Sequence, residues 1–187
     1  MDIMARTTAD DQSRHQSEAS DSGRAAGISV YTGASLGDVG EIMSAPEFPA
    51  EIPAGLDLAA IAGGTVVDVI FRDDRPDGFS LANIRLAPDY ILPTHSHDVD
   101  CLYYVQSGWI VLGRRRIDSG GGFLVLAERP YGYRAGPEGA TVLEFRKSTG
   151  FNMVISAMPS AKWQEIVDVA RRHDGWPDFV ETVALPR

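Results

Sequence analysis

The stretch Pro93-Thr94-His95-Ser96-His97, which Gly108 follows eleven residues later, decides how this sequence is interpreted. Side chains on a β-strand alternate between its two faces, so a strand through this stretch places the imidazoles of His95 and His97 on one face. Two neighbouring imidazoles on one face can bind a single metal ion. We therefore expect the chemistry of this chain at the histidine pair.

The residues around the pair predict a series of short strands that begins near Gly64. Segments rich in β-branched and aromatic residues alternate with turns that contain glycine or proline, a spacing typical of an antiparallel sandwich or barrel. Arg85 is expected at the surface, with Ile84 and Leu86 facing inward. Gly108 is interpreted as a turn. The predicted strands are residues 65–71, 79–87, 101–105, 109–112, 123–126, 131–134 and 141–146.

The regions on either side of this strand region have different compositions. Residues 1–27 are rich in small and polar side chains and predict a disordered tail, because they cannot bury enough apolar surface to offset the entropy of ordering. Residues 28–63 predict an extended connecting segment, and residues 64–147 the barrel. Residues 148–187 predict a C-terminal strand, a helix over 161–173 with Ser160 as its N-cap, and a docking tail.

Composition and charge exclude several classes of protein. The 187 residues are 44% hydrophobic and 23% charged, with a net charge of −9, which argues against a surface that binds nucleic acid or an anionic membrane. No apolar run approaches the roughly 20 residues of a membrane span. Cys101 is the single cysteine, so an intramolecular disulfide is excluded and a reducing, cytoplasmic location is expected.

The histidine stretch resembles the first motif of the cupin superfamily, commonly written G(X)5HXH(X)3,4E(X)6G. His95 and His97 match the two histidines, and Gly108 matches the last glycine. Asp89 stands at the first glycine and Cys101 at the glutamate. The six residues between Cys101 and Gly108 are the number that the motif requires.

The second cupin motif, commonly written G(X)5PXG(X)2H(X)3N, is retained only in part. When it is aligned on Gly120, its proline falls at Leu126 and its inner glycine at Glu128. Its histidine falls at Tyr131 and its asparagine at Ala135. The similarity to cupins therefore covers roughly residues 64–147 and is carried mainly by the first motif.

The resemblance implies an all-β fold, a cupin-like antiparallel β-barrel or jelly roll with a C-terminal helix. In most cupins with both motifs, three histidines and one glutamate point inward and bind a divalent transition metal ion. This chain retains two of those four ligands. The resemblance also implies a homodimer, in which the apolar C-terminal tail covers an edge of the partner's sheet.

Two further side chains are candidates for the missing ligands. Cys101 shares its parity along the strand with His95 and His97, so it is expected to point inward and offer a thiolate. Asp100 is the more usual type of ligand, but its parity directs it outward unless a bulge intervenes. We predict His95, His97 and Cys101 as metal ligands and Tyr131, at the position of the third histidine, as a catalytic residue.

Two functions are consistent with these residues. The first is a metal-binding cupin that acts on a small organic molecule in an oxygenase, isomerase or lyase type of reaction, with one divalent transition metal (Fe, Zn, Mn, Ni or Cu) as cofactor. The second is a non-catalytic cupin that binds a small molecule and uses the histidines as hydrogen-bonding groups. The fold alone does not choose between them.

Overall fold

The computed structural model describes residues 28–54, 56–75 and 77–183. The strands and helices given below lie in one compact unit that begins at Gly33. The predicted disordered tail, residues 1–27, lies outside the described residues.

Antiparallel pairing organises this unit. Six strands follow one another in a sheet of order β1-β2-β3-β8-β5-β6, and β7 pairs with β5, while β4 and β9 form a separate two-stranded sheet. This arrangement confirms the predicted all-β fold. The strands are β1 (Gly37–Asp38), β2 (Thr65–Arg72), β3 (Ser80–Leu86), β4 (His95–Ser96), β5 (Cys101–Leu112), β6 (Arg115–Asp118), β7 (Gly122–Val125), β8 (Tyr133–Arg146) and β9 (Val154–Ile155).

The two longest strands differ from the prediction. Residues 101–112 form one strand rather than two, so the interpretation of Gly108 as a turn is wrong. Gly108 has a φ of 68° and lies where the register between β5 and β8 shifts. A bulge of this kind bends a strand while its pairing continues on both sides. Residues 133–146 likewise form one strand, which contains Gly139 at a φ of 78°.

The predicted C-terminal helix is present as α2 (Ser160–Arg172). Its N-cap is Pro159 and no side chain caps it, so the expected capping role of Ser160 is wrong: Ser160 is already helical. Gly175, at a φ of 69°, ends the helix by donating its N–H to the carbonyl oxygen of Ala170 at 2.8 Å. The expected apolar stripe of α2 is buried in the main core and consists of Trp163, Ile166, Val167 and Ala170.

Short elements complete the described part of the chain. Within residues 28–63, which were expected to be extended, β1 pairs with β2, a 3₁₀ helix spans Val39–Glu41 and α1 spans Leu58–Ala62. A last helix, α3, spans Phe179–Val183. In the part of the chain that is described, no helix is long and apolar enough to cross a membrane.

The surface position predicted for Arg85 is wrong. Its side chain is buried and forms an ion pair with Asp68 on the neighbouring strand β2. Ile84 and Leu86 are buried as well. Strand β3 is therefore covered on both faces, and the partly buried carboxylate of Asp68 compensates the charge that would otherwise keep a guanidinium in water.

One face of the sheet is apolar although it is exposed to solvent. Leu102 and Tyr104 on β5, Leu124 on β7 and Phe145 on β8 are all exposed. Leu102 lies opposite both Leu124 and Phe145 in the strand register. These four side chains form a continuous surface, which we call the apolar outer face.

The bulge at Gly108 leads to a test of backbone geometry. A Cβ atom at Gly108 would lie 2.4 Å from the carbonyl oxygen of Gly139, whereas one at Gly113, which has a similar φ of 62°, would meet nothing within 4 Å. We expect Gly108→Ala to lower the free energy of unfolding by at least about 2 kcal/mol more than Gly113→Ala. Both substitutions place a Cβ on a residue with positive φ, but only the one at Gly108 also creates a clash with the backbone of the neighbouring strand. Urea denaturation measures both values. Equal losses in the two variants would contradict this account of the bulge.

Candidate functional site

The two motif histidines are held by short backbone pairings. His95 lies in β4, opposite Ile155 of β9. On its other side, His95 and Tyr131 exchange two backbone hydrogen bonds, each 2.9 Å long. Both His95 and His97 are buried in the barrel. The segment before β8 therefore brings Tyr131 directly beside the first histidine, as the alignment of the second motif predicts.

Backbone carbonyls determine which nitrogen of each imidazole carries the proton. Nδ1 of His95 lies 2.8 Å from the carbonyl oxygen of Pro93, and Nδ1 of His97 lies 2.5 Å from that of Asn152. A carbonyl oxygen only accepts, so both Nδ1 atoms carry hydrogen and both Nε2 atoms present a lone pair. Burial lowers the pKa of His97 and lowers the pKa of His95 to about 4, so both rings are neutral. This is the form in which histidine binds a metal ion.

Strand β5 supplies the next two groups. Burial alternates along the start of this strand: Cys101 and Tyr103 are buried, whereas Leu102 and Tyr104 are exposed. The predicted inward direction of Cys101 is therefore confirmed. Burial raises the pKa of the Cys101 thiol to about 12. Asp100 is exposed, and its carboxylate accepts a hydrogen bond from the backbone N–H of Ala127 at 2.8 Å.

Strand β8 contributes two charged residues that the sequence analysis missed. In the strand register, Glu144 lies opposite Tyr103 and Arg146 lies opposite Cys101. Both side chains are buried and form an ion pair with each other. Burial favours the neutral acid, but the charge of Arg146 and the hydrogen bond from Tyr103 outweigh it, so the pKa of Glu144 is lowered and the carboxylate is ionised.

Three tyrosines line the space between these groups. The hydroxyl of Tyr131 donates to Nε2 of His95 at 2.9 Å and also contacts the hydroxyl of Tyr103. The hydroxyl of Tyr103 donates in turn to Glu144. Burial raises the pKa of Tyr103, Tyr131 and Tyr133, so all three are neutral phenols. Tyr131 is thus placed as a hydrogen-bond donor next to His95.

The arrangement of the possible metal ligands fits a divalent metal ion. Nε2 of His97 lies 3.9 Å from Oε1 of Glu144, and both atoms are acceptors. Two ligand atoms bound to one ion at about 2.0–2.2 Å each lie at most about 4.4 Å apart, so this separation can be spanned by a single ion. The ligand atoms of His97, Cys101 and Glu144 all lie within 4.8 Å of one another. His95 is not part of this group of atoms, and its Nε2 accepts the hydrogen bond from Tyr131.

A cavity of about 370 Å³ adjoins these groups. This volume is near the lower end of the range for small-molecule sites. Its walls are mostly apolar and include Val67, Ile84, Leu92, Met153 and Trp163. The polar groups converge on one part of an otherwise apolar space, which is the usual arrangement of a ligand site.

Backbone conformation supports the alignment to both cupin motifs. All four aligned glycine positions have positive φ angles: 59° at Asp89, 68° at Gly108, 89° at Gly120 and 62° at Glu128. Glycine adopts this region without cost, whereas Asp89 and Glu128 adopt it against the usual preference of L-residues. The chain has therefore kept the backbone of the motifs at two positions where it has lost the glycine. The antiparallel all-β fold is consistent with the resemblance to cupins.

Comparison with protein families and with curated proteins gives no match. Solved structures that are similar include KdgF from Halomonas sp., which is 20% identical, with 46% of this chain and 81% of that chain covered and a TM-score of 0.40. An RmlC-like cupin from Shewanella frigidimarina is 17% identical, with coverages of 48% and 80% and a TM-score of 0.41. The polyketide cyclase RemF from Streptomyces resistomycificus is 19% identical, with coverages of 55% and 79% and a TM-score of 0.42. All three TM-scores are low, so these similarities carry no further conclusion about this chain.

The buried ion pair leads to a stability prediction. Glu144→Gln leaves the Arg146 charge buried without its counter-ion, and we expect a loss of about 3–5 kcal/mol in the free energy of unfolding. The control is Asp118→Asn, which breaks the exposed pair of Asp118 with Arg116 and should cost less than about 1 kcal/mol. Chemical denaturation of both variants measures the difference. A small and equal loss in the free energy of unfolding of the two variants would contradict the idea that Arg146 depends on Glu144 as its buried counter-ion.

Proposed function

We propose that this protein binds one divalent transition metal ion inside its barrel and acts there on a small organic molecule. The observation that carries the proposal is the pair of acceptor atoms on His97 and Glu144, 3.9 Å apart in a buried site. Two buried acceptors that face each other without a hydrogen between them are stabilised by a cation.

Four side chains are the proposed ligands or ligand candidates. His97 and Glu144 form the centre of the site, and His95 and Cys101 complete it. Two imidazoles with a carboxylate form a donor set that suits iron and other divalent first-row metals. The Cys101 thiol is a weaker candidate because its raised pKa keeps it protonated until a cation displaces the proton.

The proposed reaction is of the oxygenase, isomerase or lyase type. A bound ion would supply Lewis acidity toward a substrate oxygen. Tyr131 is the proposed catalytic residue: its hydroxyl reaches Nε2 of His95 and lines the cavity, so it can donate a hydrogen bond or a proton to a substrate oxygen beside the histidine. The walls of the cavity beside these groups are mostly apolar.

A non-catalytic binding protein is the second candidate, and one observation favours it. Several polar groups already have partners within the protein: His95 accepts from Tyr131, and the two oxygens of Glu144 are taken by Tyr103 and Arg146. A network satisfied in this way holds the barrel together without an ion. Metal content distinguishes the two candidates.

We expect close to one transition metal ion per chain in protein purified without a tag or chelators. The His97→Ala variant should lose it, because removal of one ligand from a site with few ligands lowers affinity strongly. His173→Ala is the control, since this histidine lies outside the barrel at the end of α2, where it contacts Asp89. Elemental analysis measures all three proteins. Native protein that stays empty after incubation with Fe(II), Mn(II), Ni(II) and Zn(II) would contradict the proposal and leave the binding protein as the better candidate.

The homodimer stays a prediction, and the apolar outer face is where we propose that a second copy packs. Large apolar side chains on a sheet face that are exposed in a single chain are typical of surfaces covered by a partner. We expect light scattering to give a dimer mass for the native protein and a monomer mass for Leu124→Lys. The control, Ile52→Lys, changes an exposed apolar residue away from this face and should remain a dimer. A monomeric native protein would contradict the prediction.

A further inference from the structure

Arg146 has hydrogen-bonding capacity that the protein does not use. Its side chain is 1% exposed and lines the cavity. One terminal nitrogen, Nη2, binds Glu144. Nε and Nη1 are buried and have no hydrogen-bond partner among the residues that the structure describes. Burying donors of a charged group without acceptors is costly, so these two nitrogens point to an acceptor that the protein itself does not provide.

Unpartnered guanidinium nitrogens alone do not identify a binding site. Arg85 has the same two nitrogens without partners, but it does not line the cavity. Arg146 differs because two more residues that line the same cavity, Tyr133 and Trp163, also carry a donor without a partner among the described residues. Several donors around the cavity are therefore left without an acceptor from the protein.

The other residues that line the cavity indicate what kind of ligand fits beside Arg146. The guanidinium carbon of Arg146 lies 3.6 Å from the centre of the Phe151 ring, which also lines the cavity. Most of the other lining side chains are aliphatic or aromatic. A ligand that matches this space has an apolar body and an anionic group, and a carboxylate provides oxygen acceptors for the unpartnered N–H groups of Arg146.

We propose that Arg146 binds the carboxylate of an apolar organic acid, the class of molecule on which this site acts. The inference deepens the proposed function by naming the substrate class, and it rests on that proposal for the statement that the bound acid is a substrate. Glu144 sets the position of the guanidinium through Nη2, which leaves Nε and Nη1 for the ligand. The acid would then lie beside His97 and Tyr131, which line the same cavity.

The test uses full-length protein stripped of metal, so that a carboxylate cannot be bound by an ion. Benzoate and its neutral isostere benzamide are the probes, and calorimetry or ligand-observed NMR measures their affinities. We expect benzoate to bind at least tenfold more tightly than benzamide. Equal affinities, or no binding of either at millimolar concentration, would overturn the inference.

Variants assign the effect to Arg146. The double substitution Arg146→Met/Glu144→Gln removes both charges together, because a buried pair replaced as a pair is often neutral for stability. We expect it to lose the preference for benzoate. The matched control, Arg85→Met/Asp68→Asn, removes the other buried pair and should keep the preference. A preference retained in the Arg146 double variant would overturn the inference.

The metal-loaded protein separates this inference from the proposed function. Benzoate that binds only after loading with metal would show that the ion, rather than Arg146, holds the carboxylate, and the inference would fail while the metal site stands. Benzoate binding in a protein that never takes up metal would support Arg146 as the anion site and leave the proposed metal chemistry without its cofactor.

Discussion

The barrel interior depends on the charge pair between Glu144 and Arg146. Each of these side chains would be expensive to bury alone, and together they compensate each other on one face of β8. The register of β8 against β5 sets Glu144 opposite Tyr103 and Arg146 opposite Cys101. A slip of one residue would turn both charges outward and bring Leu143 and Phe145 inward, so the position of the polar groups depends on this single register.

The histidine pair follows from a different kind of constraint. Carbonyl oxygens of Pro93 and Asn152 take the Nδ1 hydrogens, which leaves both Nε2 lone pairs in the barrel. Nε2 of His97 then faces a carboxylate oxygen of Glu144, which is an acceptor rather than a donor. This meeting of acceptors is the physical basis for a cation at the site, and it arises from backbone positions rather than from the side chains alone.

The strands are polar inside and apolar outside at one end of the sheet. On β8, Glu144 and Arg146 are buried while Phe145 is exposed, and on β5 the exposed residues are Leu102 and Tyr104. This reverses the pattern expected of a sheet with one solvated face. A functional interior explains the buried charges, and a covering partner would explain the exposed apolar residues.

The sequence by itself determined the all-β class, the histidine pair and the inward direction of Cys101. Short segments rich in β-branched residues encode the class, and strand parity encodes the direction. The continuity of β5 through Gly108 was not evident, because a glycine at positive φ serves a turn and a bulge equally well.

Only the tertiary structure decided that Glu144 and Arg146 belong to the site. In the segment Thr141-Val142-Leu143-Glu144-Phe145-Arg146, parity alone allows two choices. One buries Leu143 and Phe145, which hydrophobicity favours, and the other buries Val142 with the two charges. The choice depends on Tyr103, which lies 41 residues away along the chain and donates to Glu144 only once the strands are paired. Burial of Arg85 has the same origin, since its partner Asp68 lies on another strand. Compensation of a buried charge is a property of the assembled fold, and for that reason local sequence patterns do not reveal it.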